Sequence, residues 1–142
     1  MTGLDCNILI QLALADHPAH ATTLRAVQNE VTQGNELVLT SLVVTEFLHV
    51  VTDSRRFAPP LTTTEAIDWI EEFLSNSSVK QLESTEVSLR QSLQWMRQFN
   101  LGRKRILDTH LAAILHTHQV ARLLTSNPGD FAIFDVLEII TP

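Results

Sequence analysis

Apolar positions along the chain fall into two alternating kinds of stretch: short apolar runs bounded by turn signals, and longer segments in which apolar side chains recur every three or four residues. The short runs at Thr2-Gly3-Leu4, Glu36–Thr40, Val79–Leu82, Ala121–Thr125 and Val136–Ile140 read as strands. Between them the helical period predicts helices over Ile8–Leu14, Ala19–Thr32, Leu42–Ser54, Thr63–Leu74, from Ser84 or Thr85 to about Phe99, and Ile106–Thr117. Local chemistry marks several ends. Pro18 stops the first helix near Asp16-His17, because the residue before a proline avoids the helical region. Gly34-Asn35 is a turn signal, and Thr62 with Glu65 has the form of a capping box. Asn100-Leu101-Gly102 breaks the chain, Ser126–Asp130 reads as a loop, and Ile106–Thr117 reads as a buried helix with little polar face. Strands alternating with helices imply α/β architecture, a parallel sheet covered on both faces.

Length and composition narrow the class. At 142 residues, with 44% hydrophobic and 18% charged residues, the expectation is one domain, residues 1–142, with a core of useful size. No apolar run approaches the roughly 18–20 residues of a membrane helix, and no basic-then-apolar leader opens the chain, so the expected location is the cytoplasm and no membrane partner is expected. A single cysteine, Cys6, cannot form an intramolecular disulfide and reads as a small buried hydrophobe. Ten Lys and Arg against 16 Asp and Glu give a net charge of −6, which argues against a protein that coats nucleic acid by bulk electrostatics. A local patch stands apart from that balance: Arg103, Lys104 and Arg105 lie together just before Asp108. It reads either as a place where phosphate and metal meet or as a solvated turn pairing onto Asp108.

The candidate chemistry lies in acids placed against the pattern. Asp5 interrupts an apolar stretch where the first strand meets the first helix, and ligands of open parallel sheets gather at such strand ends. Asn7 reads as the cap of that helix, which leaves Asp5 free for a site; the alternative is that Asp5 is itself only a capping or turn residue. Glu46 has Leu42, Val43, His49 and Val50 as helical neighbours, so it lies on an apolar stripe. An unpaired buried carboxylate is costly, so Glu46 must face a cation, a metal or a wet cavity, or pair with His49. Asp108 opens another apolar helix, and Asn127 and Asp130 follow the fourth strand. Carboxylates converging on one sheet edge repel one another, and a divalent cation such as Mg²⁺ relieves that repulsion through oxygen ligands. The chemistry such a site supports is phosphodiester hydrolysis.

Leu4-Asp5-Cys6-Asn7-Ile8-Leu9, Val43-Val44-Thr45-Glu46-Phe47, Leu107-Asp108-Thr109-His110-Leu111-Ala112-Ala113 and Leu124-Thr125-Ser126-Asn127-Pro128-Gly129-Asp130-Phe131 resemble, in order and spacing, the four motifs of the PIN-domain ribonucleases, in particular the VapC-type toxins of bacterial toxin–antitoxin pairs. The resemblance implies a three-layer α/β/α sandwich with a five-stranded parallel sheet, Mg²⁺ or Mn²⁺ dependence and endonucleolytic cleavage of RNA. Asp5, Glu46 and Asp108 match the acids that carry the metal in that family. The fourth position departs from the commonest pattern, with Asn127 followed by Asp130, and these two are held jointly as catalytic candidates. Arg103, Lys104 and Arg105 are candidates for steering RNA toward the acids. A small antitoxin protein and a homodimer are the implied partners, with the apolar faces of Thr63–Leu74 and Leu42–Ser54 as candidate surfaces.

Three other readings compete. A zinc enzyme is suggested by six histidines, but no His-Glu-x-x-His is present, and the i to i+2 pair His116 and His118 points apart on a helix. A haloacid-type phosphatase wants a second acid two residues after Asp5, where Asn7 stands. The third is a catalytically weak protein of the same fold that acts mainly through a protein partner.

Overall fold

The computed structural model describes residues 1–142. The elements follow in the order β1 (Thr2–Leu4), α1 (Cys6–Ala13), α2 (His20–Thr32), β2 (Leu37–Thr40), α3 (Ser41–Val51), α4 (Thr63–Leu74), β3 (Val79–Leu82), α5 (Glu86–Gln98), α6 (Ile106–Thr117), β4 (Arg122–Leu124), α7 (Pro128–Phe131) and β5 (Glu138–Ile140). All five strands are parallel, in the order β3-β2-β1-β4-β5. The three-layer α/β/α sandwich is therefore the fold.

Burial explains why three- and four-residue strands suffice. Every residue of β1 and β2 is buried, as expected for central parallel strands covered on both faces, whereas the edge strands β3 and β5 are partly exposed. Gly3 shows how closely the layers approach: a Cβ there would stand 2.7 Å from Leu115 of α6. One hydrophobic cluster runs from Leu4, Ile8 and Leu9 through Val38, Leu39, Val43 and Phe47 to Leu111, Leu115, Leu123 and Phe131. Aromatic contacts extend it on both sides, Phe47–Trp69–Phe73 under α4 and Trp95–Phe134–Phe99 under α5. At the sheet edge remote from the acids, Glu30 is buried and accepts hydrogen bonds from Thr2 Oγ1 (2.5 Å), Asn35 Nδ2 (3.1 Å) and Arg122 Nη1 (2.8 Å), which ties α2 to β1 and β4.

Several sequence expectations shift. The Thr62–Glu65 capping box is present, and Gly34 supplies the positive φ (82°) that turns the chain into β2. α3 ends at Val51, short of the Ser54 expected, because the backbone carbonyl of Asp53 gathers the following amides into a turn. The Ser126–Asp130 loop is partly helical, since Pro128 at the first helical position starts α7. α6 is buried only from its second turn: Ile106 and Leu107 are exposed at its start. The basic Arg103–Arg105 stretch is a single 3₁₀ turn leading into α6. No helix is long and apolar enough to cross a membrane.

Candidate active site

The strand order reverses around β1 and β4, the place where an open parallel sheet leaves a crevice at its carboxyl edge. Asp5 follows β1 directly and its N–H donates to Leu124 O of β4 (3.1 Å). Its side chain is buried and fully engaged. Oδ1 accepts from Cys6 N–H (2.7 Å), while Oδ2 accepts from Asn7 Nδ2 (2.7 Å) and Thr125 Oγ1 (2.6 Å). Here the structure corrects the sequence reading: Asp5, not Asn7, is the N-cap of α1. Asn7 instead spans from Asp5 to the chain after β4, where its Nδ2 reaches Thr125 Oγ1 (3.3 Å) and its Oδ1 accepts from Ser126 N–H (3.1 Å). Capping and site membership are thus compatible in one carboxylate, because Oδ1 accepts a single hydrogen bond and retains a lone pair, whereas Oδ2 is filled by two.

Glu46 and Asp108 reach the same edge from α3 and from the first turn of α6. Neither is exposed like a surface acid, and Glu46 forms no pair with His49: it faces a cleft of about 910 Å³ that Asp108 also lines. Burial and the negative charges around them disfavour ionisation of these groups. Burial, then Asp5 and Asp108, pushes the Glu46 carboxyl up to about 7. Burial, then Asp5 and Asp130, pushes Asp108 up to about 6. Asp5 is also raised, chiefly by burial, with the bonds from Thr125, Cys6 and Asn7 opposing the rise and Asp130 adding to it. Four acids from four separate segments therefore share one electrostatic environment.

Asp130, on α7, is joined to Asp108 by Arg105. The guanidinium Nη2 donates to the Asp130 carbonyl, Nη1 stands 3.7 Å from Asp130 Oδ1, and Nε stands 3.7 Å from Asp108 Oδ2. Arg105 Nε is buried and makes no hydrogen bond. Asn127 is exposed; its backbone N–H donates to Thr125 Oγ1 (3.0 Å) and its side chain caps nothing. Arg103, Lys104 and Arg105 all line the cleft that holds Glu46 and Asp108, but only Arg105 is engaged with the acids. Of the side chains that hold Asp5, Thr125 carried no role in the sequence reading and Asn7 only that of a helix cap. Their signal was present, since both lie within the motifs around Asp5 and Asn127, but a hydroxyl or an amide supporting a carboxylate has no spacing rule.

The donor set fits a hard divalent cation in kind: oxygen ligands only, crowded enough to raise one another's pKa. No three His, Cys, Asp or Glu side chains stand close enough together to hold a metal ion between them. A small octahedral cation that keeps several waters and takes one or two carboxylates does not need such a cluster. Cys6 is buried beside Asp5 and Glu46, which together with burial push its thiol far up.

A family model described as PIN domain matches residues 4–136. The chain is 27% identical over 138 residues to Ribonuclease VapC33 of Mycobacterium tuberculosis, covering 97% of this chain and 95% of the relative. Among solved structures it resembles VapC20 of Mycobacterium tuberculosis, described as a sarcin-ricin loop cleaving toxin (TM-score 0.73, 13% identity, 97% and 98% of the two chains). It also resembles VapBC-1 of nontypeable Haemophilus influenzae (TM-score 0.70, 20% identity, 99% and 96%). At such identities the structural likeness establishes the fold.

Proposed function

The chain belongs to the PIN-domain family, and from that premise we propose that it is a divalent-metal-dependent endoribonuclease, the toxin of a toxin–antitoxin pair. The observation that carries the proposal is the convergence of Asp5, Glu46, Asp108 and Asp130 at the crevice beside β1 and β4, where each is electrostatically coupled to at least two of the others. A relative named as a ribonuclease supports the reaction class.

Asp5, Glu46 and Asp108 would hold Mg²⁺ or Mn²⁺. Such an ion supplies polarisation of a phosphoryl oxygen and a more acidic water. The protein's part is positional. Asp5 is fixed by three hydrogen bonds and serves as the rigid reference of the site, whereas Glu46 and Asp108 face the open cleft and meet the substrate side. With their carboxyls raised to about 7 and about 6, Glu46 and Asp108 ionise later than free acids, so metal binding strengthens as pH rises through about 6 to about 7. Asp130 orients the attacking water, with Asn127 at the start of the same short helix as the other candidate.

An antitoxin partner is proposed because similar solved structures include toxin–antitoxin complexes, among them one from Klebsiella pneumoniae. A groove of about 630 Å³ between α2 and α4, lined by Leu24, Val27, Val31, Trp69 and Phe73, offers apolar side chains of such a partner a seat. A homodimer remains part of the proposal, checked by light scattering.

The test is incubation of the purified chain with structured RNA and Mg²⁺ or Mn²⁺, paired with calorimetry of metal binding. Asp5→Asn is expected to lower cleavage by more than the about 100-fold seen for lost outer-shell partners, and to weaken the binding heat. Cleavage that survives EDTA, or that Asp5→Asn leaves undiminished, defeats the proposal.

A further inference from the structure

The chain carries net charge −6, yet four of its ten Lys and Arg residues line the one cleft that holds Glu46 and Asp108. Arg103, Lys104 and Arg105 enter it from the turn before α6. The fourth, Arg56, enters from a different segment, the loop that follows α3. Together the two segments put cations on a cleft whose acids by themselves would repel a polyanion.

The local structure singles out Arg56 from its neighbour. Asp53, just past α3, folds the loop: its Oδ1 accepts from Arg55 N–H (2.9 Å), and its carbonyl accepts from Arg56 N–H (3.0 Å) and Phe57 N–H (3.1 Å). One carboxylate then faces two adjacent arginines. Arg55 takes it in a forked pair, Nε to Oδ1 and Nη2 to Oδ2, each 3.0 Å. Arg56 Nε stands 3.9 Å from Oδ2, beyond hydrogen-bond distance, and its side chain is 60% exposed. Arg56 therefore forms only a loose ion pair with Asp53 and no side-chain hydrogen bond, on a backbone held by two hydrogen bonds, at the lip of the acidic cleft. Lys104 and Arg103 are exposed and carry no ion pair, whereas Arg105 is largely buried, donates to the Asp130 carbonyl and faces Asp108 and Asp130 at 3.7 Å. A planar fork of free donors matches phosphate oxygens, and exposed Leu107, which lines the same cleft, offers a surface for a ribose or base.

We propose that Arg56 is a substrate-binding residue which, with Arg103 and Lys104, grips from two sides the RNA phosphates that flank the scissile bond. The inference rests on the ribonuclease reading and adds to it a residue outside the acid motifs. Arg56 contributes positioning charge, not sequence readout, since a phosphate contact is the same at every nucleotide. An ordinary solvated arginine, the default for a surface loop, would contribute nothing to RNA affinity.

The experiment measures binding of a fluorescently labelled single-stranded RNA to the full chain by anisotropy in EDTA over a range of salt, and steady-state cleavage in Mg²⁺. Arg56→Gln is expected to weaken binding about tenfold and to lower the slope of log affinity against log salt by about 1, as loss of one phosphate contact does. KM rises with kcat nearly unchanged, Arg56→Lys recovers part of the affinity, and Arg25→Gln on α2, outside the cleft, behaves as the parent. Equal affinity and KM for Arg56→Gln and parent overturn the inference while leaving the ribonuclease reading intact. A fall in kcat at unchanged KM overturns it too. A parent chain that neither binds nor cleaves RNA defeats both.

Discussion

Asp5 is simultaneously helix cap, buried carboxylate and candidate ligand, and Thr125 is the side chain that makes those roles compatible. Its hydroxyl donates to Asp5 Oδ2 at 2.6 Å and is itself buried, so it fixes which way the carboxylate faces and lowers the cost of its charge. Thr125→Val keeps the shape and removes the donor. Cleavage is expected to fall about 10–100-fold, the range for partners that orient a ligand, with weaker metal binding and an unchanged circular dichroism spectrum. Wild-type kinetics and metal affinity in that variant would show that Asp5 is oriented by the backbone alone. Arg105 is a positioning residue by the same reasoning, since its guanidinium is largely buried, donates to the Asp130 carbonyl and stands 3.7 Å from both Asp108 Oδ2 and Asp130 Oδ1, joining α6 to the α7 segment.

Short central strands demand close packing from the helices that cover them. β1 has three residues, and its middle one has no side chain because α6 lies where a Cβ would go, with Leu115 wholly buried and unable to swing away. Gly3→Ala is expected to destabilise by about 1–3 kcal/mol, the usual cost of overpacking a filled core, read by urea denaturation. Leu115→Ala alone should cost about 2–5 kcal/mol, and the two substitutions together should cost less than their sum, a coupling which a double-mutant cycle measures. The strain bears on the site, because β1 and α6 carry Asp5 and Asp108. Metal affinity of Gly3→Ala is therefore expected to fall even where the variant is still folded.

Taken whole, the molecule concentrates unfavourable charge at one edge of its sheet and neutralises it poorly without a cation. The carboxyls of Glu46 and Asp108 have folded-state values raised to about 7 and about 6 from ordinary values near 4. A raised value favours the protonated folded form, so the stabilising contribution is present below about pH 4 and is lost as pH rises through about 6 to about 7. The melting temperature of the metal-free chain should accordingly fall between pH 5 and pH 8. Glu46→Gln, which cannot ionise, should raise it at pH 8 by about 2–4 °C, what about 1 kcal/mol gives at this length, and flatten the pH profile. Mg²⁺ should stabilise the parent at pH 8 and Glu46→Gln far less. A melting temperature that rises from pH 5 to pH 8 in EDTA would contradict the coupling of these acids.

Alternation of short apolar runs with helical periods was sufficient for the strands, most helix bounds and the parallel α/β class, since burial period is written directly in residue order. Glu46 and Asp108 stood out for the same reason, as acids on apolar helical faces. Other features depend on contacts between segments distant in the chain. That Asp5 caps α1 while Asn7 serves the β4 end follows from β1 pairing with β4, which brings Thr125 and Ser126 to both residues. The exposure of Ile106 and Leu107 follows from where α6 overhangs the cleft. Arg55 and Arg56 are indistinguishable in a list of residues, and the geometry of one turn gives the first to Asp53 and the second to the cleft. Local pattern selects elements because it acts over a few residues; the duties of polar side chains are assigned only when the sheet closes and each donor finds the acceptor that folding has placed beside it.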